Sequence, residues 1–201
     1  GSYEAERRPL ALRNTGYARG FADSLGLFLV DPEIEAETAE GASARQKAGD
    51  YLEGHARREF NIPGVTFGGR YDGSPAIIGD GTVPPADAAN LYTPSACPGG
   101  RPPHLWLEDD TSLFDRFGFG WTLLQLGPES GFAAEMAAAA RNLRLDLTQV
   151  ALSSEQAREL YAADYVLIRP DHIVAWRGPG RGRGDDGDAT GILRRLLGYL
   201  E

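Results

Sequence analysis

The hydrophobic pattern changes twice along the 201 residues. From Tyr3 the apolar positions Leu10, Leu12, Tyr17, Phe21, Leu25 and Phe28 recur at close to the helical period, which predicts a helix stopped at Asp31-Pro32. A second helical stretch, Pro32 to Phe60, is rich in Ala, Glu, Arg and Gln, with Tyr51, Leu52, His55 and Phe60 as its inward positions. This half has few large apolar residues for its length, so its apolar stripe is expected to need another surface. Residues 61–103 then lose periodicity: Ile62-Pro63-Gly64, Gly68-Gly69, Asp72-Gly73-Ser74-Pro75, Asp80-Gly81, Pro98-Gly99-Gly100 and Pro102-Pro103 mark turns throughout. A loop this long inside one compact domain is unusual, and it reads as an ordered strap with short extended pieces at Val65–Phe67 and Ala76–Ile78.

After Arg101 the pattern alternates between strand and helix. Strands are expected at His104–Leu107, Trp121–Leu126, Leu145–Val150, Tyr165–Ile168 and Ile173–Trp176, the last two joined by the turn Arg169-Pro-Asp-His172. Between them lie Ser112–Phe117, opened by a capping serine, the alanine-rich helix Gly131–Leu143, and a helix capped by Ser153-Ser154 and running through Leu160. A glycine-rich loop, Gly178–Asp188, precedes a final amphipathic helix, Thr190–Leu200. The order β-α-β-α-β-α-β-β-α predicts an α/β, thioredoxin-like domain with helices on both faces and an antiparallel terminal pair. Three regions follow: a helical segment at 1–60, the strap at 61–100 and the thioredoxin-like domain at 101–201. Gly1-Ser2 reads as an added dipeptide and is left out of this argument.

Composition narrows the chemistry. With 42% hydrophobic residues the chain can bury a core, while 29 acidic against 20 basic residues give a net charge of −9, which opposes a nucleic-acid or anionic-membrane partner. A single cysteine, Cys97, permits no internal disulfide or CxxC pair and suits a reducing cytoplasm. No apolar run approaches the roughly 20 residues of a membrane helix. In a working thioredoxin, cysteines sit where the first core strand meets its helix, at the positive helix end that lowers a thiol pKa. Here that junction reads Gly127-Pro128-Glu129-Ser130-Gly131, and Ala162-Ala163-Asp164 stands where thioredoxins carry a proline. Thiol chemistry is therefore not expected.

Other chemistries find little support. His55, His104 and His172 lie in separate segments and read as isolated, so no metal site is expected. Glu108-Asp109-Asp110 and Asp185-Asp186-Gly187-Asp188 read as solvated turns, the second lacking the spacing of a calcium loop. Gly178–Gly184 lacks the Gly-Lys-Ser/Thr ending of a phosphate cradle. Ser153-Ser154 is better explained as a cap than as a nucleophile. In Arg101-Pro-Pro-His-Leu-Trp106, His104 is expected to satisfy backbone groups at a strand start and Arg101 to pair with a carboxylate; the alternative has both facing a substrate channel. Trp121 and Trp176 read as core. No catalytic, cofactor-binding or metal-binding residue is assigned.

Several motifs together resemble one family. Tyr3-Glu-Ala-Glu-Arg-Arg-Pro9, Arg70-Tyr71-Asp-Gly-Ser-Pro75, Asp80-Gly81-Thr82, Pro98-Gly-Gly-Arg-Pro-Pro-His104 with Trp106-Leu107, Ser112-Leu-Phe-Asp-Arg-Phe-Gly118 with Thr122-Leu-Leu124, and Val166–Arg177 are similar, in this order, to the single-component FAD-dependent aromatic hydroxylases. That family includes phenol hydroxylase, 3-(3-hydroxyphenyl)propionate hydroxylase and the polyketide hydroxylases. The resemblance implies a C-terminal region whose redox-inactive thioredoxin-like tail serves structure and oligomerisation. The motifs by which the family holds FAD are absent from these residues. By the same resemblance, the parent enzyme uses FAD and NAD(P)H to hydroxylate a phenolic ring, while this chain carries no cofactor. Its expected partners are the flavin-binding domain or a separate flavin chain, with a homodimer through the helical half. The alternative is a stand-alone or split-enzyme protein that binds a partner enzyme or a small aromatic ligand beside Trp106 and Trp121.

Overall fold

A computed structural model describes residues 2–180 and 188–199. The chain divides into two compact units: Gly1–Arg8, Gly69–Ala86 and Thr93–Glu201 form one, Pro9–Gly68 and Asp87–Tyr92 the other. The dividing point falls at Pro9, inside helix α1 (Tyr3–Gly26), where the missing N–H withdraws one helical hydrogen bond.

The first unit is built on a four-stranded sheet: β1 (Trp121–Gln125), β2 (Leu147–Ala151), β3 (Tyr165–Ile168) and β4 (Val174–Gly178), in the order β2-β1-β3-β4. β1 and β2 are parallel, while β3 runs antiparallel to both β1 and β4. Helices α4 (Phe132–Asn142), α5 (Glu155–Tyr161) and α6 (Ala189–Leu196) complete the β-α-β-α-β-β-α order of the thioredoxin fold. Strand alternation sorts the core into two layers. Trp121, Leu123, Tyr165 and Leu167 meet α4 and α6 on one face, while Leu124, Val166, Ile168 and Val174 meet Ala157 and Tyr161 of α5 on the other. Ala175 is the extra residue of a bulge, since Ile168 pairs with Val174 and Leu167 with Trp176.

Three expected elements differ. His104–Leu107 joins no sheet and makes one isolated bridge, Trp106 to Ser112. The N–H groups of Leu113 and Leu107 instead bond the carbonyls of Leu105 and Thr111, so the segment folds back on itself behind the donor-less Pro102-Pro103. Val65–Phe67 lies in a helical turn, α3 (Pro63–Phe67), because Pro63 at the first helical position presets its φ. Ala76–Ile78 forms no ladder; Ile78 donates one bond to Ala175 O at 2.8 Å and buries its side chain. The final helix spans Ala189–Leu196, capped by Asp188 on Gly191 N–H. Ser112 caps a 3-10 turn at Leu113–Arg116 with a reciprocal bond from Asp115.

The second unit pairs α1 with α2 (Ala39–Phe60), capped by Thr38, after a 3-10 turn at Pro32–Glu35. Its buried residues are only Gly41, Ala44, His55 and Gly64. Leu52 and Phe60, expected to face inward, are 41% and 78% exposed, because this unit offers them no apolar layer. Leu12, Leu25, Leu27, Leu29 and Val30 are exposed as well.

Candidate functional site

The β1–α4 junction is the place where a thioredoxin-like domain would carry its chemistry. Here the N–H groups of Leu126 and Gly127 both donate to Asp164 O, at 2.7 and 3.0 Å. The fit needs glycine, since a Cβ on Gly127 would stand 2.4 Å from the Asp164 carboxylate. Gly131, at φ 81°, starts α4 with no side-chain cap. Between them, Ser130 Oγ lies 3.0 Å from the hydroxyl of the buried Tyr165, whose ring meets Phe132 edge-on at 5.0 Å. Ser130 thus sits against a phenol rather than a base, and nothing activates it as a nucleophile. Across the junction, Ala162 ends α5 in the left-handed region (φ 51°) and Asp164 pairs with Arg158 at 2.9 Å, where thioredoxins carry a proline.

Beside this junction a cavity of about 650 Å³ is lined by Asp80, Arg158, Asp164 and Arg177. Each of its arginines is paired with a carboxylate: Arg158 with Asp164, and Arg177 Nε with Asp80 at 2.6 Å. Arg177 also donates to Tyr161 O and Thr82 Oγ1, both at 2.8 Å. Burial by itself raises the pKa of Asp80, but hydrogen bonds from Arg177 and Thr82 outweigh it and hold the carboxyl below its ordinary range. The Asp80-Gly81-Thr82 motif therefore fastens the strap to β4.

Other motif residues fasten the strap too. Gly99 N–H donates to Val174 O at 2.8 Å and Val174 N–H to Gly100 O at 2.9 Å, covering the outer edge of β4. Arg70 grips Asp72 and donates to Pro98 O at 2.7 Å. At the start of α1, Ser2 O accepts from Glu6 N–H, so the excluded dipeptide does take part. The Glu6 carboxylate, 4% exposed, accepts from Ser74 Oγ at 2.6 Å and from Arg169 at 2.6 and 3.1 Å, and Arg169 also pairs with Asp171. Burial pushes the Glu6 pKa up, yet these bonds and the Arg169 charge bring it below its usual value. Arg7 and Arg169 both lie over the Tyr71 ring.

His55 stands apart from the other two histidines, while His104 and His172 both pack on Phe114. His55, buried in α2, has Nε2 2.8 Å from Glu59 Oε2 and Nδ1 2.8 Å from Ser24 Oγ on α1. The sequence reading missed this trio, although the i, i+4 spacing of His55 and Glu59 signals the pair. Ser24 lies inside a helix and also donates to Phe21 O, so the arrangement ties two helices together rather than activating an alcohol. His104 was expected to satisfy backbone groups; it is exposed and bonds Ser112 Oγ at 3.0 Å, its ring stacked on Phe114 and edge-on to Trp106. The guanidinium of Arg101 lies 4.5 Å over the Phe114 ring. His172 occupies the β3–β4 turn at φ 58°, against Phe114 and Phe117.

Trp121 and Trp176 are buried, as expected, but Trp106 is 67% exposed on a groove of about 610 Å³ with Leu107, Arg116, Val150 and Leu152. Trp106 and Trp121 do not share a pocket, because Trp121 points into the layer under α4. Asp109 accepts from Thr111 and pairs with Arg116, and Asp110 turns the chain at φ 59°, so the acidic triplet is a turn. Most of Gly178–Asp188, including Asp185–Gly187, lies outside the described residues. Among the described residues no group of three or more His, Cys, Asp or Glu could hold a metal, and no helix is long and apolar enough to cross a membrane.

The fold and junction define a thioredoxin-like domain without the thiols of that class. Residues 95–199 match the family model described as aromatic-ring hydroxylase, C-terminal, and the chain belongs to that family. It is 31% identical over 210 aligned positions to the FAD-dependent monooxygenase opdD of Penicillium oxalicum, covering 99% of this chain and 39% of that protein. To the FAD-dependent monooxygenase apdD of Emericella nidulans it is 36% identical, over 88% of this chain and 30% of that one. The solved structure of K252c-soaked RebC superimposes with a TM-score of 0.83 at 32% identity, over 99% of this chain and 36% of RebC. The chain thus spans less than two-fifths of the proteins it matches.

Proposed function

We propose that this chain is the non-catalytic, structural and assembly region of an FAD-dependent, NAD(P)H-consuming aromatic-ring monooxygenase, whose flavin domain lies in polypeptide outside these residues. The observation that carries the reading is the β1–α4 junction. It holds no sulfur, its one hydroxyl faces a phenol, and Asp164 closes it from the other side. The junction also does not fit a dinucleotide. Glu129 lies within it and the Asp164 carboxylate packs on Gly127, where a pyrophosphate would need positive charge or free N–H groups. FAD and NAD(P)H therefore belong to the parent enzyme, and a cytoplasmic location is consistent with the single buried cysteine.

The second unit supports the partner assignment. Its exposed residues Leu25, Leu27, Leu29 and Val30 lie at a hollow of about 310 Å³ that Leu27, Phe28, Leu29, Ala44 and Tyr51 line together with the charged Asp31 and Lys47, a largely apolar surface suited to the flavin-binding body or to a separate flavin chain. The test is direct: the purified chain, titrated with FAD and supplied with NADPH and a phenol, takes up no flavin and oxidises no NADPH. Stoichiometric flavin in the purified protein, or turnover of a phenol, refutes the reading.

A further inference from the structure

The protons of the Ser24–His55–Glu59 trio are fixed by its geometry. His55 is 5% exposed in α2, with Nδ1 2.8 Å from Ser24 Oγ and Nε2 2.8 Å from Glu59 Oε2. An ionised carboxylate only accepts hydrogen bonds, so Nε2 carries a proton. The serine hydroxyl has a single proton, and it is spent on Phe21 O at 2.8 Å. Ser24 Oγ therefore meets Nδ1 as an acceptor, and Nδ1 carries a proton as well. A neutral imidazole has one N–H and satisfies only one of these two contacts. If Glu59 kept Nε2–H, Ser24 would have to turn its proton from Phe21 O to Nδ1, leaving two oxygens facing each other at 2.8 Å.

We infer that His55 is an imidazolium in this fold and that its charge is a latch: with the proton bound, the ring holds the last turn of α1 on α2, and loss of the proton releases that turn. The surroundings favour the charged ring. The last turn of α1 contains Asp23 and no basic residue, so the negative end of this 24-residue helix has no cation of its own. The buried ring supplies one from α2.

Tyr51, one turn before His55, donates to Ser24 O at 2.5 Å, and its ring meets Phe28 at 5.1 Å. Two α2 side chains thus converge on Ser24, and the exposed Leu25, Leu27, Leu29 and Val30 follow it directly in the chain. The charge on one imidazole therefore sets how firmly this apolar run is held. Other charged groups on the neighbouring elements have partners of their own. Asp23 pairs with Arg19, Glu53 with Arg57, and Asp87 of the 87–92 segment with Arg13 of α1, while Asp50 accepts from Gln46. Arg58 is exposed, and Lys47, two turns earlier on α2, lines the hollow with Asp31. Glu59 is the carboxylate that the ring meets.

The test uses the full chain labelled with nitrogen-15 and long-range proton–nitrogen spectra of its three histidines, with His104→Gln and His172→Asn identifying the other two signals. At about pH 5.5 both ring nitrogens of His55 are expected to carry protons, and at about pH 9 Nδ1 alone is expected to be bare. Over the same range the protection of the amides from Ser24 to Phe28, corrected for intrinsic exchange, should fall about three- to tenfold, the worth of one hydrogen bond. Protection is full with the proton bound and is lost as pH rises. Ser24→Ala keeps the helix but removes the acceptor, so its protection should no longer follow the ring. A ring that keeps a single form over the whole range overturns the inference. So does a proton loss that leaves these amides unchanged, or a Ser24→Ala chain with the original pH response. None of these results bears on flavin uptake, which alone decides the proposed function.

Discussion

The Glu6–Arg169 pair allows a quantitative test of what holds the start of α1 in the first unit. The carboxylate is 4% exposed and accepts three short bonds, and the guanidinium also holds Asp171. Arg169→Met leaves a buried carboxylate with Ser74 as its remaining side-chain partner from this network, an uncompensated charge that costs about 3–5 kcal/mol. Glu6→Gln keeps the shape but in either orientation sets an amide N–H₂ group against an Arg169 N–H, because both carboxylate oxygens accept from that guanidinium. Because Arg169 retains Asp171, its cost is smaller, about 1–3 kcal/mol. The double variant should cost clearly less than the sum, since once the arginine is gone the carboxylate is a liability. Equilibrium urea unfolding, followed by the fluorescence of the buried Trp121 and Trp176, measures all four proteins. The pH dependence has a definite sign. Glu6 has a folded pKa below its ordinary value, so its contribution is complete above that ordinary value and is lost as pH falls through the folded one. In Arg169→Met the penalty should therefore shrink on acidification, as the stranded carboxyl takes up a proton. Additive single-variant costs, or a Glu6→Gln cost below about 0.5 kcal/mol, would refute the account of a coupled buried pair.

Further outcomes follow from the same contacts. Gly64→Ala sets a Cβ 1.7 Å from Ala88 O, a backbone atom that cannot swing away, and should destabilise the second unit by about 2 kcal/mol or more in hydrogen exchange of α3. Arg177→Leu strands Asp80 and Tyr161 O beside β4 and should lower the unfolding midpoint of the first unit, whereas removal of the exposed Arg57–Glu53 pair on α2 of the second unit should leave that midpoint unchanged. His55→Ala should raise amide exchange where α1 meets α2, around Ser24 and Tyr51, while leaving the sheet amides unchanged.

The chain by itself determined the elements whose signal is local. Near-continuous apolar runs at Trp121–Leu126 and Tyr165–Ile168, the caps Ser112 and Ser154, and the Arg169–His172 turn are all near-neighbour effects, and they stand within a residue or two of expectation. The missing thiols at Gly127–Gly131 were equally legible, since a residue that is absent from the sequence is absent from the site. Tertiary structure decided the rest. Whether His104–Leu107 pairs with a sheet depends on competition between distant and adjacent backbone partners, and the adjacent Thr111 and Leu113 prevail because their loop is short. That Glu6 meets Arg169 across 163 positions, or Asp80 meets Arg177 across 97, follows from the folded path of the strap and from no local pattern. The exposure of Leu25 to Val30 has the same origin: periodicity marks an apolar stripe, but what covers it is set by the surfaces the fold supplies.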